Sequence, residues 1–342
     1  MKILFSFLAV MALVAIAYAG VEGGGQYLFG IVIPYAAAAI FLAGIVYRVV
    51  TWAKSPVPFA IPTTGGQQKS LPWIKPNKID NPTTTGAVVA RMIFEILLFR
   101  SLFRNSKAEF RDGSRLLYGS DKWLWLASLA FHAAFFTVLV RHLRFFTEPV
   151  LAPVAMIEAL DGFLQVYAPT MLMSGLVLIA AAGYLFFRRV YIPQVRYISL
   201  PADYFPLFLI LSIGISGVLM RYIFKTDVVG IKTLTMGLVS LNPKIPQGVG
   251  VIFYIHLFLV SVLFAYFPFS KLMHMAGVFL SPTRNMVANT RAYRHVNPWN
   301  PVVKVHTYEE YEEEFREVMI KAGIPVDKQP GAEKKELKVE HA

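Results

Sequence analysis

Six long apolar runs divide the chain, near residues 3–20, 27–51, 123–146, 164–187, 205–224 and 249–276. Each is close to the roughly 20 apolar residues that carry an α-helix across a bilayer. The pattern predicts an all-α, polytopic transmembrane helix bundle of about six spans. The polar stretches between the runs are uneven in charge. Segment 48–122 is rich in Arg and Lys, from Arg48 and Lys54 through Arg91, Arg100 and Arg104 to Lys122. The turn from Arg188 to Arg196 and the stretch from Lys271 to Arg294 are basic too. All three fall on one side if every run spans, and an excess of Lys and Arg marks that side as cytoplasmic. Segment 147–163 has no Lys or Arg but holds Glu148, Glu158 and Asp161, so it faces out. The loop 225–249 carries only Lys225, Lys232 and Lys244, with Pro243 and Pro246 as breakers. An even number of spans then puts both termini inside.

These boundaries give two N-terminal spans (1–51), a basic cytoplasmic loop (52–122), a four-helix core (123–276) and a cytoplasmic tail (277–342). In the first run, Ala17-Tyr18-Ala19 before Gly20 resembles a signal-peptide cleavage site. Its weakly charged start favours a retained helix instead. The loop begins irregularly, with Pro56, Pro58, Pro62, Gly65 and Gly66. Residues 87–104 are apolar with interspersed charge, and Glu95 in their middle argues for an interfacial helix rather than a span. In the tail, Tyr308 to Lys321 reads as a charged helix, and the Lys/Glu-rich residues 322–342 read as disordered. The acidic run of that helix is a solvated face, with docking to a cytosolic partner as the sharper alternative.

Composition agrees with a membrane protein. Hydrophobic residues make up 56% of the 342, too many for a soluble domain. The net charge of +12 does not point to nucleic acid, because the basic residues lie between or after the apolar runs. The chain has no cysteine. That excludes disulfides, c-type haem attachment and thiolate-ligated iron–sulfur clusters built by this chain alone. Any haem is therefore non-covalent, and any iron–sulfur cluster belongs to a partner.

Four histidines interrupt the apolar runs: His132 and His142 in the third, His256 and His274 in the sixth. An ionisable side chain in a bilayer is expensive and marks a functional site by default. Two per helix is what a bundle needs to hold two haems through paired axial imidazoles. Such haem iron has no open position, so it moves electrons and does not bind oxygen. The third and sixth runs are antiparallel, so His132 should pair with His274 in the cytoplasmic half and His142 with His256 in the outer half. The rises do not match: ten residues climb about 15 Å and eighteen about 27 Å on an ideal helix. Tilt, imidazole reach and a kink at Pro268 are expected to absorb the difference of about 12 Å. Eighteen residues is five full turns, which puts His256 and His274 on one face.

His295, His306 and His341 lie outside the spans and receive no ligand role. Arg141, Arg144 and Arg221 sit at outer ends of spans, where they suit haem propionates or simple interfacial anchoring; Lys271 and Arg188 are their inner counterparts. Two rival readings exist. One is a transporter whose intramembrane histidines relay protons or bind metal, yet neither histidine-bearing run contains Asp or Glu. The other is a structural anchor for partner subunits.

The stretch from His256 to F-P-F-S-K-L-M-H at His274, with F-H at His132 and the partner His142, resembles the cytochrome b (gamma) subunit family of respiratory nitrate reductase. The resemblance covers roughly residues 30–280. It implies two b haems, ligated by His132/His274 on the inner side and His142/His256 on the outer side, with quinol handled near the outer haem. The S-P-V-P-F-A-I-P-T-T-G-G-Q-Q-K-S-L-P-W stretch and the tail H-V-N-P-W-N-P-V-V-K-V-H-T-Y-E-E-Y are similar to one branch. That branch is the membrane subunit (DsrM) of the sulfite-reduction-associated Dsr complex, close to Hme-type subunits. It implies a cytoplasmic heterodisulfide-reductase-like iron–sulfur partner, further membrane and periplasmic cytochrome subunits, and menaquinone as substrate. The chain would then be a quinone-linked oxidoreductase subunit that transfers electrons without completing a reaction alone. One departure bears on mechanism: family members place a lysine in the outer loop by the quinol site, and here no lysine occurs between Lys122 and Lys225. Glu158, Asp161 and Gln165 are the polar groups nearby.

Overall fold

A computed structural model describes residues 1–55, 73, 75–111 (109–111 by backbone alone), 113, 115–164, 170–289 and 305–328. Among them are six helices long and apolar enough to cross a membrane. By internal contacts the chain divides into Met1–Val296 and Asn297–Ala342.

The first span is α1, Lys2–Glu22. The second opens with one π-helical turn, Leu28–Val32, and continues as α2, Ile33–Ala53. Pro34 follows that π-helical turn directly and, lacking an N–H, cannot make the bond to the preceding turn that a regular helix would have there. The third span is α5, Lys122–His142, and the fourth α7, Met173–Tyr191. The fifth is α9, Pro201–Val218, prolonged by a π-helical turn at Leu219–Ile223. Asp203 accepts from the Leu200 N–H at 2.9 Å and so closes the start of α9. The sixth is α11, Val251–Tyr266.

Helix α11 is the most buried span and packs on α1, α2 and α9. Helix α9 packs in turn on α7, and α7 on α5. The core gathers Val10 and Ala17 of α1, Leu209 of α9, and Tyr254 and Leu259 of α11. Lipid is as apolar as these side chains, so close packing and interhelical hydrogen bonds hold the spans together. Ser6 donates to the Pro201 carbonyl at 3.0 Å, and Tyr35 donates to the Leu238 carbonyl at 2.9 Å. Helix α5 is the least buried span. It packs along α7 and is not closely packed on α11, the other histidine-bearing span.

The connecting segments are more structured than the sequence reading allowed. The predicted interfacial helix at 87–104 is two helices, α3 (Thr85–Leu98) and α4 (Arg100–Phe103), broken at Phe99. Thr84 caps α3 by accepting from the Ala87 N–H. A hairpin follows, β1 (Ser106–Arg111) paired antiparallel with β2 (Arg115–Ser120). Helix α6 (Ala152–Asp161) lies between the third and fourth spans, and α10 (Val228–Val239) between the fifth and sixth. A short α8 (Pro193–Ile198) joins α7 to α9.

The sixth run does not continue as a helix to residue 276. After Tyr266 it tightens into a 3-10 turn at Phe267–Phe269, and Ser270 is extended. A second 3-10 turn, Lys271–Met273, is capped by the Ser270 hydroxyl, which accepts from the Leu272 N–H at 3.1 Å. Two short helices follow, α12 (His274–Gly277) and α13 (Pro282–Asn285). Pro268 removes a donor and crowds the preceding turn, so the expected kink is a full break. His274 therefore lies beyond the helix and, contrary to the expectation from spacing, does not share a helical face with His256. The charged helix is α14, Tyr308–Lys321, closed at its start by a capping box of Thr307 and Glu310.

Candidate functional site: two histidine pairs

Helix α5 presents His132 and His142 ten residues apart, about 15 Å along the axis. The structure brings His142 against His256 of α11, with ring centres 6.4 Å apart and planes 12° from parallel. It brings His132 against His274, with ring centres 5.9 Å apart and planes at 83°. The break after Tyr266 makes the second pair possible, since it lets the chain depart from the rise of an unbroken helix.

Each imidazole is anchored through the same nitrogen. Nδ1 of His132 lies 2.8 Å from the Ser128 carbonyl, Nδ1 of His142 2.7 Å from that of Val138, and Nδ1 of His274 2.9 Å from that of Lys271. A carbonyl only accepts, so Nδ1 carries the proton in all three. His256 instead meets the Ser216 hydroxyl at 2.9 Å. That hydroxyl also lies 2.9 Å from the Ile213 carbonyl, to which it donates, leaving its oxygen to accept from His256 Nδ1. In all four rings Nε2 is left with a lone pair, the form in which histidine binds metal.

The residues fit a haem at each pair. Metal–imidazole bonds of about 2 Å on both sides, plus roughly 1 Å from nitrogen to ring centre, put ring centres about 6 Å apart. The observed separations of 5.9 and 6.4 Å bracket that value. The ligand-bearing helices α5 and α11 are not packed on one another, as an intervening porphyrin requires. Next to Ser216, Gly217 turns its bare Cα to His256: a Cβ there would stand 3.5 Å from the ring's Cε1. Among the described residues no three His, Asp or Glu gather as a compact metal site.

The cations divide by what they already hold. Arg141 reaches Asp161 at 2.5 Å and Ser174 Oγ at 2.8 Å. Asp161 also accepts from the Ser174 N–H and hydroxyl, at 2.7 and 2.6 Å, so α6 is tied to the start of α7. Arg144 pairs with Glu158, Arg188 with Asp121 at 2.6 Å, and Lys271 with Asp203 at 2.7 Å. Arg221, in the π-helical turn, donates to the Thr170 carbonyl at 3.1 Å and has no carboxylate partner among the described residues. Its Nε is buried without a hydrogen bond. Lys232 of α10 pairs with Glu148, so a lysine does stand on this side of the bundle, supplied by the later loop. Gln165, His295 and His341 fall outside the described residues. His306 lies 4.0 Å from Glu314 in the second unit.

The sequence reading missed Ser216, Gly217 and Phe99, whose ring stands 4.9 Å from that of His132. The Phe99 φ of 48° has no sequence signal of the usual kind, since glycine or asparagine normally occupies that conformation.

A model of the nitrate reductase gamma subunit family matches residues 89–296. The "Hdr-like menaquinol oxidoreductase cytochrome b-like subunit" of Archaeoglobus fulgidus is 46% identical over 281 residues, 80% of this chain and 84% of the relative. The protein of the same name from Archaeoglobus profundus is 42% identical over 276 residues, 79% of this chain and 82% of the relative. With six apolar spans and these relatives, the chain is a multi-pass membrane protein, and it belongs to the nitrate reductase gamma subunit family.

Proposed function

We propose that the chain is a di-haem cytochrome b subunit that exchanges electrons between menaquinone and a cytoplasmic iron–sulfur partner. His132 and His274 hold the inner haem; His142 and His256 hold the outer one. The observation that carries this reading is the shared anchoring of four imidazoles through Nδ1, in pairs about one bis-imidazole iron apart. When bound, the haems supply one-electron transfer, and the chain positions them. Of the three outer arginines, Arg221 is the one without a carboxylate partner among the described residues, and it serves an outer propionate; Arg141 and Arg144 act at the same end through Asp161 and Glu158.

Menaquinone is placed at the outer end, beside α6. Asp161 is occupied by Arg141 and Ser174, whereas Glu158 and Arg144 remain partly exposed. Glu158 is thus the carboxylate available to exchange a proton with a quinol hydroxyl. The basic segments 48–122 and 271–294 mark the cytoplasmic side, where the C-terminus also lies. A heterodisulfide-reductase-like subunit docks there, and other membrane and periplasmic cytochrome subunits complete a sulfur-metabolism complex in the cytoplasmic membrane. The names of the archaeal relatives support the quinone and the Hdr-like assembly.

The test is a reduced-minus-oxidised spectrum and haem assay of the purified chain made with adequate haem. Two b-type haems per chain are expected, and absence of haem refutes the reading. His142→Ala and His256→Ala should each lose one haem and keep the other. Retention of two haems in both variants refutes the pairing.

A further inference from the structure

We infer that Phe99 sets the plane of the His132 imidazole, and with it the angle between the two ligand planes of the inner haem. The inference rests on the di-haem reading above. Phe99 is one of three non-glycine residues with positive φ among those described, at φ 48° and ψ 47°. A bulky side chain rarely adopts that conformation and keeps it only where the surroundings enforce it.

Three ties enforce it here. Glu95 reaches across the break to accept from the Ser101 N–H at 3.2 Å and from the Ser101 hydroxyl. Trp125 of α5 donates from its indole to the Leu98 carbonyl at 2.7 Å and stacks edge-on with Phe103, 4.9 Å between centres. Asp80 pairs with both Arg100 and Arg104 on the far side of the break. Together they pin the α3–α4 junction to the start of α5, one residue on either side of Phe99.

The product is a ring wedged against a ligand. The Phe99 ring stands at 89° to that of His132, and Phe131 stands at 82° with centres 5.1 Å apart. The Ser128 carbonyl holds Nδ1 on a third side. Rotation about the Cβ–Cγ bond of His132 is thereby blocked, and its plane is locked at 83° to His274. Among the described residues the other pair has no such edge-on wedge: Phe145 beside His142 is tilted at 58° with centres 5.8 Å apart, and the two imidazole planes lie within 12°.

That difference has an electronic consequence. Each axial imidazole splits the iron d orbitals through its π system along one direction. Perpendicular rings cancel each other's splitting, and the oxidised low-spin iron gives a strongly axial paramagnetic signal. Parallel rings add, and the signal is rhombic. Ligand orientation is one of the means by which a protein sets a haem's electronic state and potential.

The experiment is low-temperature electron paramagnetic resonance on the oxidised, full-length protein, with a potentiometric titration of both haems. The wild type should show one strongly axial and one rhombic signal. His142→Ala, which leaves the inner haem alone, should retain the axial one. Phe99→Gly suits the positive φ and removes the whole side chain. It should move the axial signal toward rhombic and shift the inner potential, with the outer signal and potential unchanged. Phe94→Ala, an exposed ring on the same helix, should change neither. An unaltered axial signal in Phe99→Gly with both haems bound overturns the inference. If Phe99→Gly sheds the inner haem, Phe99→Tyr should keep the axial signal and Phe99→Leu should not; an axial signal in the Leu variant overturns it. A wild type without haem overturns the di-haem reading instead.

Discussion

Ser216→Ala tests the outer ligand set at its one removable support. Three of the four histidines are anchored by backbone carbonyls that no substitution deletes, whereas His256 is anchored by the Ser216 hydroxyl at 2.9 Å. Ser216 is 5% exposed, so water does not readily replace the lost oxygen. A buried N–H left without an acceptor costs about 1–3 kcal/mol. Removing the outer partner of a ligating histidine typically lowers metal affinity by about 10–100-fold, or about 1.4–2.7 kcal/mol. The two figures agree, so the expected loss is one to two orders of magnitude in outer-haem retention. A hydrogen bond from Nδ1 makes the ring a better donor and favours ferric iron, so its loss raises the outer potential. Each tenfold change in the ferric-to-ferrous affinity ratio is about 59 mV for one electron. The assay is haem dilution under detergent exchange together with a redox titration. Ser216→Thr, which keeps the hydroxyl, should restore both. Wild-type haem retention and two unchanged potentials in Ser216→Ala would refute the reasoning.

Gly44→Ala is expected to weaken the inner site from a distance, because its Cβ would sit 2.5 and 2.7 Å from Cβ and Cγ of Pro268. Overpacking of this kind costs about 1–3 kcal/mol; thermal unfolding followed with the inner-haem absorbance should show both falling, and an unchanged protein would contradict it. Lys271→Gln should leave the inner-haem spectrum nearly unchanged and lower the unfolding midpoint only slightly. The lysine side chain is 73% exposed although that of Asp203 is 7% exposed, glutamine can still donate to the carboxylate, and an ion pair open to solvent on one side contributes about 0–1 kcal/mol; a large loss of stability would contradict it. In the second unit, Glu312 accepts from the Lys328 and Asp327 N–H groups at 2.9 and 2.7 Å, which holds its carboxyl below the ordinary carboxylate value. A lowered folded-state pKa contributes stability that is present above the unfolded value and lost as pH falls through the folded one. The protection factors of the Asp327 and Lys328 amides in the full chain, exchange rates taken relative to the unfolded chain at the same pH, should therefore be high at neutral pH and fall below the carboxylate range; protection independent of pH would contradict the clasp.

The spans and the histidine positions were legible because both are one-dimensional signals: apolar length, and the cost of an ionisable group in lipid. The geometry of the sixth run was only half legible. Pro268 announced a disturbance, and Ser270 two residues on is a cap that signals a restart, so F-P-F-S reads as a stop followed by a new turn. The hairpin carried its own signal in Asp112-Gly113 between residues that alternate, a pattern hidden by reading the segment as a loop. Ser216 and Gly217 were not legible at all, since nothing in a uniformly apolar helix says which face meets a neighbour's histidine. The pairing of Arg141 with Asp161 likewise depends on where α6 folds back, which no local pattern encodes.

The break after Tyr266 bears on the order in which the two sites are completed. His142, His256 and Ser216 all stand on helices that close their own backbone bonds, so the outer ligands are in register once the third, fifth and sixth spans have packed through the fourth, α7, which links α5 to α9. His274 stands on a chain of short turns whose course is fixed from outside, by Gly44 under Pro268 and Trp52 against Gly277. The inner ligand pair thus waits for the second span to dock. The geometry of the inner pair is set by tertiary contacts with the second span, and not by the regular backbone of its own helix.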